Sequence, residues 1–450
     1  MNNKFSKLIV SGLLACGIVF ASPLSENFLP AQAAEMSIKD NRATADYWTG
    51  KYKDGETVLV AVPDLERLNL QIRQKNATLV DLAKYPEKVY AQTLKNKIVQ
   101  IMSLGKFDGD ALPKLFKGGT ALTEFSYTQA KKNCAIESIP AVVETRYALT
   151  TDRVDIRLLP EEDGWFESAN DTLYDLVQAT ALDPAEPVAV LLDSADKKYV
   201  FVESRAYAGW IKVSSLAFTD KTTWLKYAAP KDYLTVLASR KTIPHGAAYF
   251  QMGGRVPMRS PDLQKDGTWA ASLPSVDANG TIVEKAVNVP NDNAVVKGTL
   301  ACSANNLIRQ AFRFLGEDFG WGGLGKGVDS SAFVQDVYRS VGIELPRDTS
   351  RQSLSMPRTI SLNGMNREQR LAIIKKSRPS SLLFAPGYVM IYLGVDEKDE
   401  PLVIHALSSY YTFGEKTAKH YVRKIVVSDL HFTDSKKFEM IDKLTSVGSL

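Results

Sequence analysis

The chain has 450 residues, 45% hydrophobic and 24% charged, an ordinary globular composition with length for about two to four domains. A formal net charge of only +4 gives no case for nucleic acid as a partner. The four histidines (His245, His405, His420, His431) and three cysteines form no CxxC or HExxH spacing, so no structural zinc and no cofactor is expected.

The first 33 residues read as an export signal: Lys4 and Lys7 precede an apolar run over 8–21, and Ala31-Gln32-Ala33 supplies small residues for cleavage. The run falls short of the roughly 20 residues that span a bilayer. Leu13-Leu14-Ala15-Cys16 also resembles a lipoprotein box, so lipid attachment at Cys16 stands as a second reading. Cleavage near Ala33 leaves Cys134 and Cys302; one disulfide is open to them, but no spacing rule says that they meet.

Residues 34–139 read mainly as helix. Pro63-Asp64 opens one helix with Leu65, Leu68 and Ile72 at helical spacing, and Pro86 opens another with Val89, Leu94 and Ile98. The stretch 106–119 reads as loop. From 140 to 218 the pattern turns to short strands at 142–147, 187–192, 199–202 and 208–213, as in a small barrel. A second module is expected over 219–294, with a strand at 233–238 and a turn at Asp277-Ala278-Asn279-Gly280. His245 falls in a loop there and reads as a surface or packing residue.

Residues 295–450 read as α+β. Leu307, Ile308, Ala311, Phe314 and Leu315 share one helical face, capped by Ser303 or Asn305 and ended by Gly316. Phe319-Gly320-Trp321-Gly322-Gly323 makes a tight turn before a second helix that buries Phe333, Val334, Val337 and Val341. Strands follow at 382–384, 388–393 and 402–406. A polar turn directly before a helix suits a nucleophile, because free backbone N–H groups and the helix dipole stabilise negative charge there. A histidine from a neighbouring strand would complete a nucleophile–base pair.

The runs "QAFRFLGEDFGWGG", "GVDSSAFVQDVYRSVGIELPRDTSRQS", "LLFAPGYVMIYLG" and "VIHAL" resemble the NlpC/P60 family. The strand-rich part, closing on Gly209-Trp210-Ile211, resembles a bacterial SH3-type (SH3b) domain. The resemblance implies a multi-domain chain: a helical N-terminal segment, two small all-β SH3b barrels, and a C-terminal papain-like α+β domain. It implies an exported cell-wall protein acting on peptidoglycan stem peptides, where this branch cleaves the γ-D-glutamyl bond to the diamino acid.

The family's Asp-Cys-Ser-Gly appears here as Asp329-Ser330-Ser331-Ala332, and its Pro-Gly-His as Pro386-Gly387-Tyr388. Ser330 therefore stands at the nucleophile position, Tyr388 at the base, and only His405 keeps the third member. Phe319 replaces the usual tyrosine. A serine hydroxyl needs a base, and a phenol with a pKa of about 10 is a poor one. In the family the third residue orients the base and does not touch the nucleophile. Four concerted departures point to natural loss of chemistry.

By resemblance, Asp329 and Ser331 hold the free amino end of the stem peptide, and Arg347, Asp348 and Trp321 line the site, Trp321 as packing beneath it. Arg347 and Asp348 have a second reading as a mutual pair that fixes their loop. Ala332 adds a methyl that would narrow the groove. His420 and His431 read as surface residues. The leading expectation is a degenerate homologue that binds peptidoglycan, muropeptides or an envelope protein partner. The alternatives are an active peptidase using Ser330 with His405, and an envelope scaffold with no peptide site.

Overall fold

A computed structural model describes residues 41–107, 114–243, 249–278 and 281–450. The expected leader, Cys16 and His245 lie outside the described residues.

The N-terminal helices divide between two cores. Trp48 from the helix Ala45–Lys51, with Leu68 and Ile72 from Val62–Lys75, packs into the core of the C-terminal domain. Leu94, Ile98 and Met102 from Ala91–Leu104, and Tyr127 from Glu124–Asn133, enter the barrel core instead. The second of these helices begins at Ala91, later than Pro86 suggested. Lys88–Tyr90 is a strand paired with Val142–Glu144, burying Val89 and exposing its neighbours, which is the period of a strand.

The first β region is a seven-stranded antiparallel sheet. Its order is Leu216–Thr219, Arg146–Thr150, Pro187–Asp193, Tyr199–Glu203, Ala208–Lys212, Val154–Arg157, Gln178–Leu182. The last two strands, of four and five residues, are not among the strands expected above. Val154–Arg157 alternates apolar and polar residues but is short, and Gln178–Leu182 has only alanines at most of its apolar positions. The second region opens with a short helix, Lys221–Ala228. It continues as a five-stranded sheet ordered Ile282–Pro290, Thr268–Val276, Arg255–Leu263, Tyr233–Val236, Val295–Lys297.

The C-terminal domain is a six-stranded antiparallel sheet between two apolar layers. The order is Arg358–Ser361, Ser446–Ser449, Leu382–Ala385, Tyr388–Val395, Pro401–Phe413, Thr417–Ser428. Leu382, Phe384, Val389, Ile391 and Ile404 join the layer that holds the helices Ala304–Phe312 and Ser330–Ser340. The alternate residues Leu383, Met390, Tyr392 and Val403 join the other layer with Ile374, Phe432 and Ile441. This period-2 division fixes the strand register.

Ser303 caps the Ala304–Phe312 helix by accepting from the Asn306 N–H. The helix stops at Phe312, before Gly316. Gly316 instead takes a φ of 81° and donates its N–H to the Ile425 carbonyl, tying the chain to the sheet edge. Cys134 and Cys302 are both free and buried in different cores, so they do not form the disulfide left open above.

Candidate functional site

Asp329 caps the Ser330–Ser340 helix, accepting from the Ala332 N–H at 3.0 Å. Its carboxylate also takes the Gly322 N–H at 2.9 Å and the Ser331 hydroxyl at 3.1 Å. Arg347, 5% exposed, grips both Asp329 oxygens, one at 3.0 Å, and donates to Ser331 Oγ at 2.7 Å and Thr180 Oγ1 at 2.8 Å. Burial alone would raise the Asp329 pKa; the Arg347 charge and hydrogen bonds, with the two backbone N–H groups, outweigh it and lower it. Gln352 Nε2 donates to the Ser331 and Pro346 carbonyls, both at 2.9 Å, locking the loop to the helix.

Arg347 therefore pairs with Asp329 and not, as the second sequence reading had it, with Asp348. Bidentate geometry favours the cap carboxylate. Asp348 sits at the start of the Thr349–Ser355 helix, its pKa raised by burial. Ala332 packs against the core under the helix.

One wall comes from the first β region. Trp321 donates Nε1–H to the Asp175 carbonyl at 3.0 Å and meets the Tyr174 ring edge-on at 5.4 Å. Tyr174 lies 6.0 Å from the Phe319 ring and donates its hydroxyl to Ser408 Oγ at 2.6 Å. The loop is held by Asp175, which takes the Trp165 and Val177 N–H groups and a buried Arg157 contact at 2.8 Å. Gln178 Nε2 donates to the Gly322 carbonyl at 2.9 Å. Gly322 has a φ of 59°, and a Cβ there would lie 2.6 Å from Gln178 Cγ, so only glycine fits the approach. Tyr174, Asp175, Gln178 and Thr180 carry no motif or spacing that marks them in the sequence. Trp321 is thus a docking contact for this wall.

The structure brings Tyr388 and His405 together. The Tyr388 hydroxyl lies 2.7 Å from His405 Nδ1 and 2.7 Å from the Ala406 carbonyl. His405 Nε2 lies 2.8 Å from Ser428 Oγ, which donates to the Asp429 carbonyl at 2.7 Å. Because Ser428 gives its proton to Asp429, the imidazole donates through Nε2–H. Nδ1 then carries the lone pair and shares the single Tyr388 proton with Ala406. His405 is fully buried, stacks on Phe432 at 5.1 Å, and is kept neutral by burial, its pKa pushed down to about 3. Burial and the nearby Tyr174 push the Tyr388 phenol well above its ordinary value.

Ser330 is 6% exposed. Among the described residues, no hydrogen bond links its hydroxyl to Tyr388 or His405. Beyond Tyr388, an open groove is lined by Pro386, Gly387, Ser408, Tyr411, Phe432 and Lys443. His420 and His431 are less free than surface residues. His420 stacks on Tyr410 and bonds Thr412, and His431 sits between Glu439 and Glu400 at 2.6 and 3.1 Å. Among the described residues, no group of three His, Cys, Asp or Glu could hold a metal ion, and no helix is long and apolar enough to cross a membrane.

The site thus combines a capped helix N-terminus, a strand-borne Tyr–His pair and a wall from the first β region. The NlpC/P60 family matches residues 316–429, and an SH3 domain of the SH3b1 type matches 165–212. The C-terminal part of this chain is an NlpC/P60 domain, preceded by an SH3b domain and helices. No curated protein matches the chain. An NlpC/P60 endopeptidase from Photobacterium damselae subsp. piscicida shares the fold. Its TM-score is 0.69 at 16% identity, over 88% of this chain and 94% of that one. An NlpC/P60 family protein from Bacillus cereus ATCC 10987 aligns at a TM-score of 0.44 and 16% identity, over 67% of this chain and 99% of its own.

Proposed function

We propose that this protein is an envelope-located NlpC/P60 homologue that binds peptidoglycan stem peptides without hydrolysing them. One observation carries the reading: His405, the only histidine of the site among the described residues, is sealed in. Both His405 nitrogens are engaged by Tyr388 and Ser428, and the ring is fully buried. A serine nucleophile needs a base within hydrogen-bond reach, and among the described residues no histidine bonds Ser330. The open groove beyond Tyr388 remains, and the buried Asp329–Arg347–Ser331 cluster holds the helix start in place beside the old reaction centre. The leader-like segment at 1–33 supports an envelope location.

Titration calorimetry with L-Ala-γ-D-Glu-diamino acid peptides tests the binding, and absence of heat at millimolar ligand counts against it. Mass spectrometry of the same mixtures tests the chemistry. Cleavage products that vanish in Ser330→Ala would establish hydrolysis and overturn the proposal.

A further inference from the structure

The hairpin of Pro401–Phe413 and Thr417–Ser428 presents a face that the peptide site does not use. Thr417–Ser428 is the edge strand of the six-stranded sheet. Along it Lys419, Tyr421 and Arg423 alternate outward, and Tyr421 is 59% exposed. Lys419 Nζ and Arg423 Cζ each lie 4.7 Å from the Tyr421 ring centroid, so the ring holds a cation on either side along the strand. Tyr411 pairs directly across from Lys419, whose Nζ is 5.9 Å from that ring, and Lys437 stands 5.2 Å from the Phe413 ring.

Charge on the hairpin is one-sided. Glu415 is the only acidic residue over 401–428, against Lys416, Lys419, Arg423 and Lys424. Lys424 pairs with Asp318. Among the described residues, no carboxylate forms an ion pair with Lys416, Lys419, Arg423 or Lys437. Lysines and arginines on an edge strand do guard it against pairing with another sheet. Guarding does not account for a large exposed ring that organises two cations, since any exposed lysine would serve. Rings that fix long cationic side chains lower the entropy lost when those cations meet an anion.

The face is also continuous with the site. Ser409 pairs with Tyr421, and Ser409 and Tyr411 line the groove that starts at Tyr388. Lys419 and Arg423 flank one ring, each 4.7 Å from its centroid, so their charges stand no more than about 9 Å apart. That spacing suits an extended polyanion better than a single small anion.

Resting on the stem-peptide reading above, we propose that the Lys419–Tyr421–Arg423 face binds the carboxylates of neighbouring peptides on polymeric peptidoglycan. The preferred ligand is then the assembled wall polymer, with an isolated stem peptide filling only the inner site. A γ-linked glutamate keeps its α-carboxylate free, so every stem along the polymer presents negative charge to this face.

The test uses the full chain, and compares sedimentation with purified sacculi against calorimetry with a soluble stem peptide. In the triple variant Lys419→Glu/Tyr421→Ala/Arg423→Glu, sacculus affinity is expected to fall at least about tenfold while stem-peptide affinity stays unchanged. All three side chains are solvent-exposed, and an unchanged circular dichroism spectrum and melting temperature confirm folding. Tyr421→Ala alone is expected to give an intermediate loss, and added salt is expected to weaken wild-type binding to sacculi. Unchanged sacculus binding in the triple variant overturns this inference alone. Loss of stem-peptide binding in the wild type overturns the underlying reading instead. Equal binding of wild type to vesicles of anionic lipid would show a membrane-directed basic patch and would also overturn it.

Discussion

Replacing Arg347 with methionine should be among the most damaging single changes in the site. Arg347 donates to both Asp329 oxygens, to Ser331 and to Thr180, and it is 5% exposed. Its removal strands a buried carboxylate, a loss of about 3–5 kcal/mol. The Gly322 and Ala332 N–H groups and the Ser331 hydroxyl remain on Asp329, so the lower end, about 3 kcal/mol, is expected. The sign with pH follows from the lowered Asp329 pKa. The stabilisation it reports is present above the unfolded carboxylate value and is lost as pH falls through the folded one. The variant lacks that contribution, so the gap between wild type and Arg347→Met should hold from about pH 7 to about pH 5 and narrow below that, through the unfolded carboxylate value of about 3.9 and the lower folded one. Urea unfolding followed by tryptophan fluorescence measures it. The double variant Asp329→Asn/Arg347→Met should cost less than the sum of the singles, by about 0.5–3 kcal/mol. A loss below about 1 kcal/mol, the worth of an exposed pair, flat across that pH range, would refute the reasoning.

Ser330→Cys alone should yield no cleavage of stem peptides, whereas Ser330→Cys/Tyr388→His should show products by mass spectrometry, since a positioned base contributes about 10²–10⁴-fold. Gly322→Ala places a methyl 2.6 Å from Gln178 Cγ at a positive φ; a thermal melt should show a loss of about 1–3 kcal/mol, with weaker peptide binding. Burial opposes the charge on His431, but its hydrogen bond to Glu439 and the Asp429, Glu400 and Glu439 carboxylates overcome it and raise its pKa. His431→Gln should therefore destabilise most at pH below the unfolded histidine value of about 6.5. The difference should vanish as pH rises through the folded value, as read from melting temperatures across a pH series.

Much of the architecture was written locally. The helix at 330–340 follows from a capping aspartate before an apolar 3.6-residue pattern, the strand at 382–385 from a short apolar run, and the strand at 388–395 from a run rich in β-branched and aromatic residues. The reading of Ser330 and Tyr388 as replaced nucleophile and base rests on the family resemblance, in which each lies inside a short spaced motif. Local signals failed where a partner came from far along the chain. Lys88–Tyr90 is a strand only because Val142–Glu144 lies beside it, and Gln178–Leu182 only because Val154–Arg157 does.

The site divides the same way. The sequence, through its family resemblance, marks Asp329, Ser331, Arg347 and His405 as candidate site residues. Which of them touch was decided by tertiary packing. Arg347 lies within bidentate reach of Asp329 once the loop folds back under Gln352, and its neighbour Asp348 is left aside. Tyr174, Gln178 and Thr180 become site residues because a separate sheet docks against Gly322. The fate of His405 is the clearest case. Its place in the motif fixes its strand, but its neutrality comes from complete burial against Phe432 between Tyr388 and Ser428. Desolvation is a property of what surrounds a group in space, and no order of residues along a chain states it.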